Sequence, residues 1–164
     1  MSKRKIIPLA AALAICAALL IWSEAPRSFS YASGIDPAEI VAVDIYLLAV
    51  EAENSWWTTL PPDDPAFTAL WEKLDSEKYY PLVTENVPKA LHMPGGGHGI
   101  HLDYEVNLFF RSRGEPPHHI SIDGWEGIQM GRWFYRTSGG LAFQQELLDL
   151  LLAQEDMLTP LPET

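Results

Sequence analysis

The sequence predicts an α+β fold: a mainly antiparallel sheet of about five or six strands with two packed helices, preceded by an N-terminal hydrophobic helix. Three observations predict it. Apolar and polar residues alternate along several short segments, which is typical of strands with one buried face. Most of these segments are joined by short turns, as in antiparallel sheets. Two other segments carry apolar residues at helical spacing, one after the first strands and one near the end of the chain.

The first residues of the chain are predicted to target it to a membrane. Three basic residues at positions 3–5 precede an uncharged run over residues 6–22. A basic segment followed by an apolar run is typical of a secretory signal, and the basic end stays in the cytoplasm. The run is near the minimum length that crosses a hydrocarbon core of about 30 Å. The predicted membrane segment includes Ile6, Leu13, Cys16, Leu20 and Trp22.

Whether this segment is retained or removed depends on the small residues that follow it. Residues 30–32 offer a cleavage site after Ala32, but they lie ten residues beyond the apolar run, and the nearer site at Ala25 is followed by Pro26. We therefore expect a membrane anchor with the C-terminal domain outside the cytosol. Secretion after cleavage near Ala32 is the alternative. Cys16 follows Ile15, where a lipidated cysteine would follow a small residue, so we expect a membrane-buried thiol.

The remaining chain is divided by composition. We expect residues 1–25 to form the signal or anchor helix, 26–35 a tether, 36–155 a single α+β extracytoplasmic domain and 156–164 a tail. Cys16 is the single cysteine, so the outer domain contains no disulfide, no cysteine-ligated metal and no cysteine nucleophile. The net charge of −11 repels phosphate backbones and disfavours nucleic acid as a partner.

The first half of the domain is predicted to hold two strands and a helix. Residues 36–39 have the pattern of a capped helical turn, with Asp as the cap and Pro at the first position. A strand follows, and residues 56–60 form a second. A Pro- and Asp-rich break at 61–65 then caps a helix, and residues 79–83 form a short strand. The first strand is expected to bury Val41, Val43, Ile45, Leu47 and Ala49, and the helix to bury Phe67, Leu70, Trp71 and Leu74.

The second half is predicted to contain a hairpin, two short strands and a final helix. Residues 100–110 alternate strongly, and a turn near Gly114 leads to a return strand. A register that keeps both apolar sets on one face pairs Phe110 with His118, Leu108 with Ile120 and Val106 with Ile122, and places His119 opposite Phe109. Residues 128–130 and 133–135 form short strands, and residues 140–154 form a helix with a broad leucine-rich face.

The histidines suggest one candidate metal site. His101 and Asp103 lie two residues apart on a strand and share a face, and His98 precedes them in a glycine-rich loop. Such a set could bind a divalent metal. The hairpin register separates His119 from His101 by roughly 26 Å at about 3.3 Å per residue, which excludes a cluster of all five histidines. Carboxylates at positions 103, 105, 123 and 126 could suit calcium, although they lack the spacing of a calcium-binding loop. A solvated acidic face is the interpretation we favour.

Two further groups could form a binding surface. Trp56, Trp57, Trp125 and Trp133 could make an aromatic patch of the kind that contacts glycans and peptides, although in a small domain such residues more often belong to the core. The basic side chains of the middle segment could meet an acidic ligand at one edge, although scattered solvated charges are more common. These are Arg111, Arg113, Arg132 and Arg136.

The functional interpretation follows from what the sequence contains. It carries no recognised catalytic motif, and we expect no cofactor. The leading hypothesis is a non-catalytic extracytoplasmic domain that binds another extracytoplasmic protein, a peptide or a glycan and contacts the membrane through its N-terminal segment. The alternative hypothesis is a metal-assisted hydrolase, or a metal-stabilised domain, that uses His98, His101 and Asp103.

Overall fold

The computed structural model describes residues 25–50, 52–82, 102–122, 124 and 127–161. Within these ranges the chain is an α+β protein with three helices and one eight-stranded antiparallel sheet, two or three strands more than the sequence predicts. The helices are α1 (Phe29–Ser33), α2 (Pro65–Asp75) and α3 (Gly140–Leu152). The strands are β1 (Ile40–Ala49), β2 (Trp56–Leu60), β3 (Tyr79–Pro81), β4 (Tyr104–Ser112), β5 (His118–Ile122), β6 (Ile128–Met130), β7 (Trp133–Thr137) and β8 (Thr159–Pro160).

The sheet has the strand order β3-β7-β6-β5-β4-β1-β2-β8, so its longest strands, β1 and β4, lie near the middle. The predicted hairpin register is confirmed: Val106 pairs with Ile122, Leu108 with Ile120 and Phe110 with His118. The turn between these strands uses Gly114 at a positive φ of 79°, which other residues rarely adopt. Register matters here because it decides which side chains of β4 and β5 reach the same face.

The predicted burial of β1 is wrong at Val41. Pairing with β4 shifts between Ile40 and Ala42, so β1 holds one extra residue there. Because of the extra residue, the side chains before the bulge and those after it do not follow one continuous alternation between the two faces. Val41 is consequently 40% exposed, whereas Ile40 is 6% exposed. Val43, Ile45 and Leu47 after the bulge are buried, as the sequence predicts, whereas Ala49 of the same predicted set is half-buried.

One face of the sheet carries the hydrophobic core. Helix α2 buries Phe67, Leu70 and Leu74 as predicted, whereas Trp71 of the same predicted stripe is half-buried against the core. Helix α3 buries most of its leucine-rich face. Asp64 caps α2 by accepting a hydrogen bond from the backbone N–H of Ala66 at 2.8 Å. The two helices are also joined by an ion pair between Lys73 and Glu146. The core is therefore a layer between the helices and one side of the sheet.

The described region that precedes β1 packs on this core in part. Phe29 of α1, which lies within the residues expected to form the tether, is fully buried, with Trp71 at 5.1 Å and Tyr79 at 5.8 Å between ring centroids. Tyr79 donates its hydroxyl to the carbonyl of Leu74 at 2.7 Å, and burial raises its pKa well above the ordinary value, with Glu77 and Asp75 adding to the shift. Strand β8 falls in the segment expected to form the tail and pairs with β2.

Candidate functional site

The opposite face of the sheet carries a groove of about 550 Å³ on β1, β4 and β5. We call this side of the sheet, away from the helices, the outer face. Alternation along the strands determines the lining, because every second residue of each strand points away from the core. The groove is lined by Asp44, Tyr46, Leu48, Glu105, Asn107, Phe109, Pro117 and His119.

A hydrogen-bonded row of side chains forms one side of the groove. Asn107 donates its side-chain N–H to Glu105 Oε1 at 3.0 Å, and its Oδ1 lies 2.7 Å from Nε2 of His119. Ser121 also donates to Glu105 Oε1, at 3.4 Å. Asn107 is only 7% exposed, so its amide is a buried polar group with partners on both sides. The row fixes the orientation of side chains from two strands.

The row also determines the tautomer of His119. An ionised carboxylate only accepts hydrogen bonds, so the NH₂ group of Asn107 faces Glu105 and its carbonyl oxygen faces the imidazole. Because that oxygen only accepts, Nε2 of His119 carries the proton. The neutral ring therefore has its lone pair on Nδ1. Burial lowers the pKa of His119 below its ordinary value, and the nearby Glu105 carboxylate opposes that shift. The neutral form is consequently favoured near pH 7.

Aromatic rings form a second row across four strands. His119 stacks on Phe109 with 4.5 Å between ring centroids and 10° between planes. Tyr46 meets Phe109 edge-on at 5.7 Å and lies nearly parallel to Trp57 at 6.5 Å. Offset-stacked and edge-to-face pairs of this kind are favourable beyond their buried area. The row presents aromatic surface on the side of the sheet that does not face the helices.

Asp44 and Glu105 differ in how their charge is balanced. Asp44 accepts a hydrogen bond from Nη2 of Arg111 at 3.1 Å and one from the hydroxyl of Thr59 at 2.7 Å, and its second oxygen lies 3.0 Å from Nε of Arg111 in the same ion pair. A guanidinium that binds both oxygens neutralises most of that charge locally. In the part of the chain that the structure describes, the hydrogen bonds to Glu105 come from the neutral side chains of Asn107 and Ser121. Glu105 is therefore the carboxylate of the groove whose charge a ligand can neutralise.

The metal site predicted from the sequence remains a prediction. His98 and His101 lie outside the described residues, and Asp103, with an exposed side chain, immediately precedes β4. Among the residues that are described, no group of three or more histidine, cysteine, aspartate and glutamate side chains is arranged to hold a metal. The predicted membrane residues Ile6, Leu13, Cys16, Leu20 and Trp22 also lie outside the described part of the chain. None of the helices in the part that is described has both the length and the apolar character needed to cross a membrane.

The described tryptophans do not form one aromatic patch, and Arg111, Arg132 and Arg136 do not lie together at one edge of the sheet. Consecutive residues of a strand point to opposite faces, so Trp57 contributes to the outer face while Trp56 packs against the core. Trp133, 38% exposed, lies under the guanidinium of Arg132 at the other end of the sheet. Arg111 lies on β4 and pairs with Asp44. Arg136 lies on β7, three strands away from β4, with its guanidinium over the ring of Tyr80. The side chain of Trp125 lies outside the described residues.

The sequence analysis did not identify the hydrogen-bonded pair of Asn107 and His119 as part of a site. The register argument placed His119 opposite Phe109, and this is confirmed. The hydrogen bond to Asn107 runs diagonally between the strands, because Asn107 pairs with Ser121. The sequence does contain a signal for this part of the site: Glu105, Asn107 and Phe109 are every second residue of β4. It identifies these three side chains as neighbours on one face.

Comparisons with known proteins give no functional assignment. No protein-family model matches the chain, and the comparisons with curated proteins and with solved structures also found no match. The function is therefore argued from the chemistry of the outer face. That face offers a carboxylate, an imidazole lone pair and aromatic surface, all held in place by neighbouring side chains. The imidazole of His119 is hydrogen-bonded to the side-chain amide of Asn107.

Proposed function

We propose that the chain is a non-catalytic extracytoplasmic binding domain whose outer face binds a basic peptide segment of another extracytoplasmic protein. The observation that carries the proposal is the arrangement of two rows on one face. The hydrogen-bonded row of Glu105, Asn107 and His119 lies beside the aromatic row of His119, Phe109, Tyr46 and Trp57. Binding sites commonly combine such an apolar surface with a few fixed polar groups.

The core does not require these aromatic residues. The inner side chains of the same strands, including Leu108, Phe110 and Ile120, are at most 1% exposed and pack on the helices. The rings of the outer face are half-buried or exposed, and Leu48 in the groove is 38% exposed. Aromatic side chains that are half-exposed on a rigid surface lose little conformational entropy when a partner covers them. They are therefore suited to contact a partner.

Charge favours a basic partner. The chain has a net charge of −11, and Glu105 holds its negative charge in the groove between neutral donors. A lysine or arginine side chain of a peptide would pair with Glu105, and its aliphatic part would lie on Tyr46 and Phe109. The Nδ1 lone pair of His119 would accept a hydrogen bond from the peptide. Electrostatic attraction of this kind increases the association rate and depends on salt.

The location of the domain is part of the proposal. The basic residues 3–5 followed by the uncharged run over 6–22 support export with the domain outside the cytosol. A retained anchor would hold the domain near a membrane, so its partners would be proteins exposed in the same compartment. Cleavage near Ala32 would release the domain and leave the outer face unchanged.

The test is a selection of peptides on the full-length chain in an uncharged detergent. A library of random 12-residue peptides is selected at low salt and then screened against Glu105→Gln. We expect peptides that combine lysine or arginine with an apolar residue, and an affinity at least five-fold weaker for Glu105→Gln because the ion pair is lost. Glu72→Gln, an exposed glutamate of α2, is the matched control and keeps full affinity. Selection of acidic or neutral peptides, or equal affinity of the selected peptides for the wild type and Glu105→Gln, would contradict the proposal.

A further inference from the structure

A second cavity of about 590 Å³ lies on the core side of the sheet, away from the outer face. It is found where β2 and β4 approach the end of α3 and the turn that follows it. Its volume is in the usual range for small-molecule sites, about 300–1,000 Å³. The cavity is lined by Trp56, Tyr104, Leu152, Asp156 and Leu158.

The sheet brings two aromatic side chains to this cavity. Trp56 pairs with Leu47 and Tyr104 pairs with Ala49, so the two rings flank β1 on the same face, two residues apart. Both side chains are half-buried and pack against the core, as do Leu152 and Leu158. The ring faces of tryptophan and tyrosine carry the negative part of the aromatic quadrupole, which attracts cations.

The electrostatic field at the cavity is negative. Helix α3 has 13 residues and ends at Leu152, and its last turn contains no basic side chain that would balance the partial negative charge of the helix C-terminus. The 3-10 turn Glu155–Met157 then supplies the carboxylate of Asp156, whose side chain is exposed. No lysine or arginine lines the cavity in the part of the chain that the structure describes.

We propose that this cavity binds a small organic cation that carries a methylated ammonium group. Such a cation forms no conventional hydrogen bonds through its methyl groups, so it is matched by aromatic and aliphatic walls and by a nearby carboxylate, and not by fixed hydrogen-bond acceptors. Trp56 and Tyr104 supply the aromatic walls, Leu152 and Leu158 the aliphatic ones, and Asp156 the counter-charge. The proposal does not depend on the function proposed for the outer face, because the two sites share no residue.

The test is calorimetric titration of the full-length chain, in an uncharged maltoside detergent, with choline chloride. We expect saturable binding of choline. The neutral isostere 3,3-dimethylbutan-1-ol, in which carbon replaces the charged nitrogen, should bind at least five-fold more weakly, as a cation–π contribution of about 1 kcal/mol implies. Sodium chloride at the same ionic strength should give no saturable heat. Equal binding of choline and its isostere, or no saturable binding of choline, would overturn the proposal.

Variants identify the site and keep the test independent of folding. Asp156→Asn changes one exposed side chain and should weaken choline binding about three- to five-fold, because a nearby carboxylate favours a cation. Asp63→Asn, an exposed aspartate in the turn before α2, is the matched control and should leave binding unchanged. Tyr104→Phe keeps the ring and should retain affinity, whereas Tyr104→Leu should lose most of it. Binding that is insensitive to both Asp156→Asn and Tyr104→Leu would place the cation elsewhere and refute the assignment.

Discussion

The imidazole Nε2 of His119 lies 2.7 Å from the side-chain oxygen of Asn107, on the neighbouring strand. The Asn107 amide is oriented by its own hydrogen bond to Glu105, at 3.0 Å, so the two contacts together place the His119 proton on Nε2. The ring also stacks on Phe109. His119 therefore belongs to both rows of the outer face.

Replacement of Asn107 by aspartate should raise the pKa of His119. In the wild type the ring faces a neutral amide and burial lowers its pKa. A carboxylate at position 107 would instead stabilise the imidazolium, so we expect an increase of about one unit or more. NMR titration of the His119 ring measures it. Asn54→Asp, in the exposed loop before β2, is the matched control and should leave the value unchanged. A His119 pKa that stays constant in Asn107→Asp would contradict the described hydrogen bond.

Folding stability should decrease in mildly acidic solution because of His119. Its pKa is lower in the folded protein than the ordinary value of about 6.5 that it has when unfolded. The unfolded state therefore binds more protons between those two pKa values. The contribution of neutral His119 to the free energy of unfolding is fully present above pH 6.5 and is lost as the pH falls through this window. Urea unfolding from pH 8 to pH 5 measures it. His119→Gln should show a smaller decrease than the wild type over this range, and equal decreases would contradict the account.

The bulge in β1 predicts different tolerance at two neighbouring valines. Val41→Thr should change the free energy of unfolding by less than about 0.5 kcal/mol, because Val41 is 40% exposed. Val43→Thr, at a position with 0% exposure, should cost about 1–3 kcal/mol because it buries a hydroxyl in the core. Denaturant unfolding of both variants measures the difference. Similar costs at the two positions would mean that β1 continues its alternation without the bulge.

Removal and addition of metal test the alternative hypothesis of a metal site. We expect that treatment with chelator, followed by zinc or calcium, leaves the Tm of the full-length chain unchanged within about 2 °C. Asp103 is the residue of that candidate site that the structure describes, and it is exposed immediately before β4, where a carboxylate is well solvated. A saturable increase in Tm that is lost in both His101→Ala and Asp103→Asn, and retained in Asp63→Asn, would establish the metal-stabilised alternative instead.

The sequence predicts the inner face of the sheet better than the outer face. Burial of Leu108, Phe110 and Ile120 follows from alternation, because a one-residue slip would expose the whole apolar set, and the β4–β5 register is confirmed for this reason. The bulge at Val41 leaves no signal in a run of apolar residues from 40 to 43. Strand β8 has two residues, too few for any period to show.

The groove itself depends on distances between strands that no single segment encodes. Asn107 and His119 meet diagonally, and Tyr46 reaches Phe109 although Phe109 pairs with Asp44. Alternation predicts which side chains share the face, but it does not predict which of them form hydrogen bonds or stack. Adjacent residues of one strand separate for a related reason: Trp56 and Trp57 follow each other in sequence and lie on opposite faces of the sheet.

Photocrosslinking from the groove in intact cells tests the central claim most directly. A benzophenone amino acid is placed at Leu48, which is 38% exposed and lines the groove, and in a second version at Tyr31, which is 60% exposed on α1. We expect a discrete crosslinked protein from position 48 that is lost when Glu105→Gln is added, and no such product from position 31. Equal products from both positions, or a product from position 48 that persists in Glu105→Gln, would contradict the claim that the outer face is the binding surface.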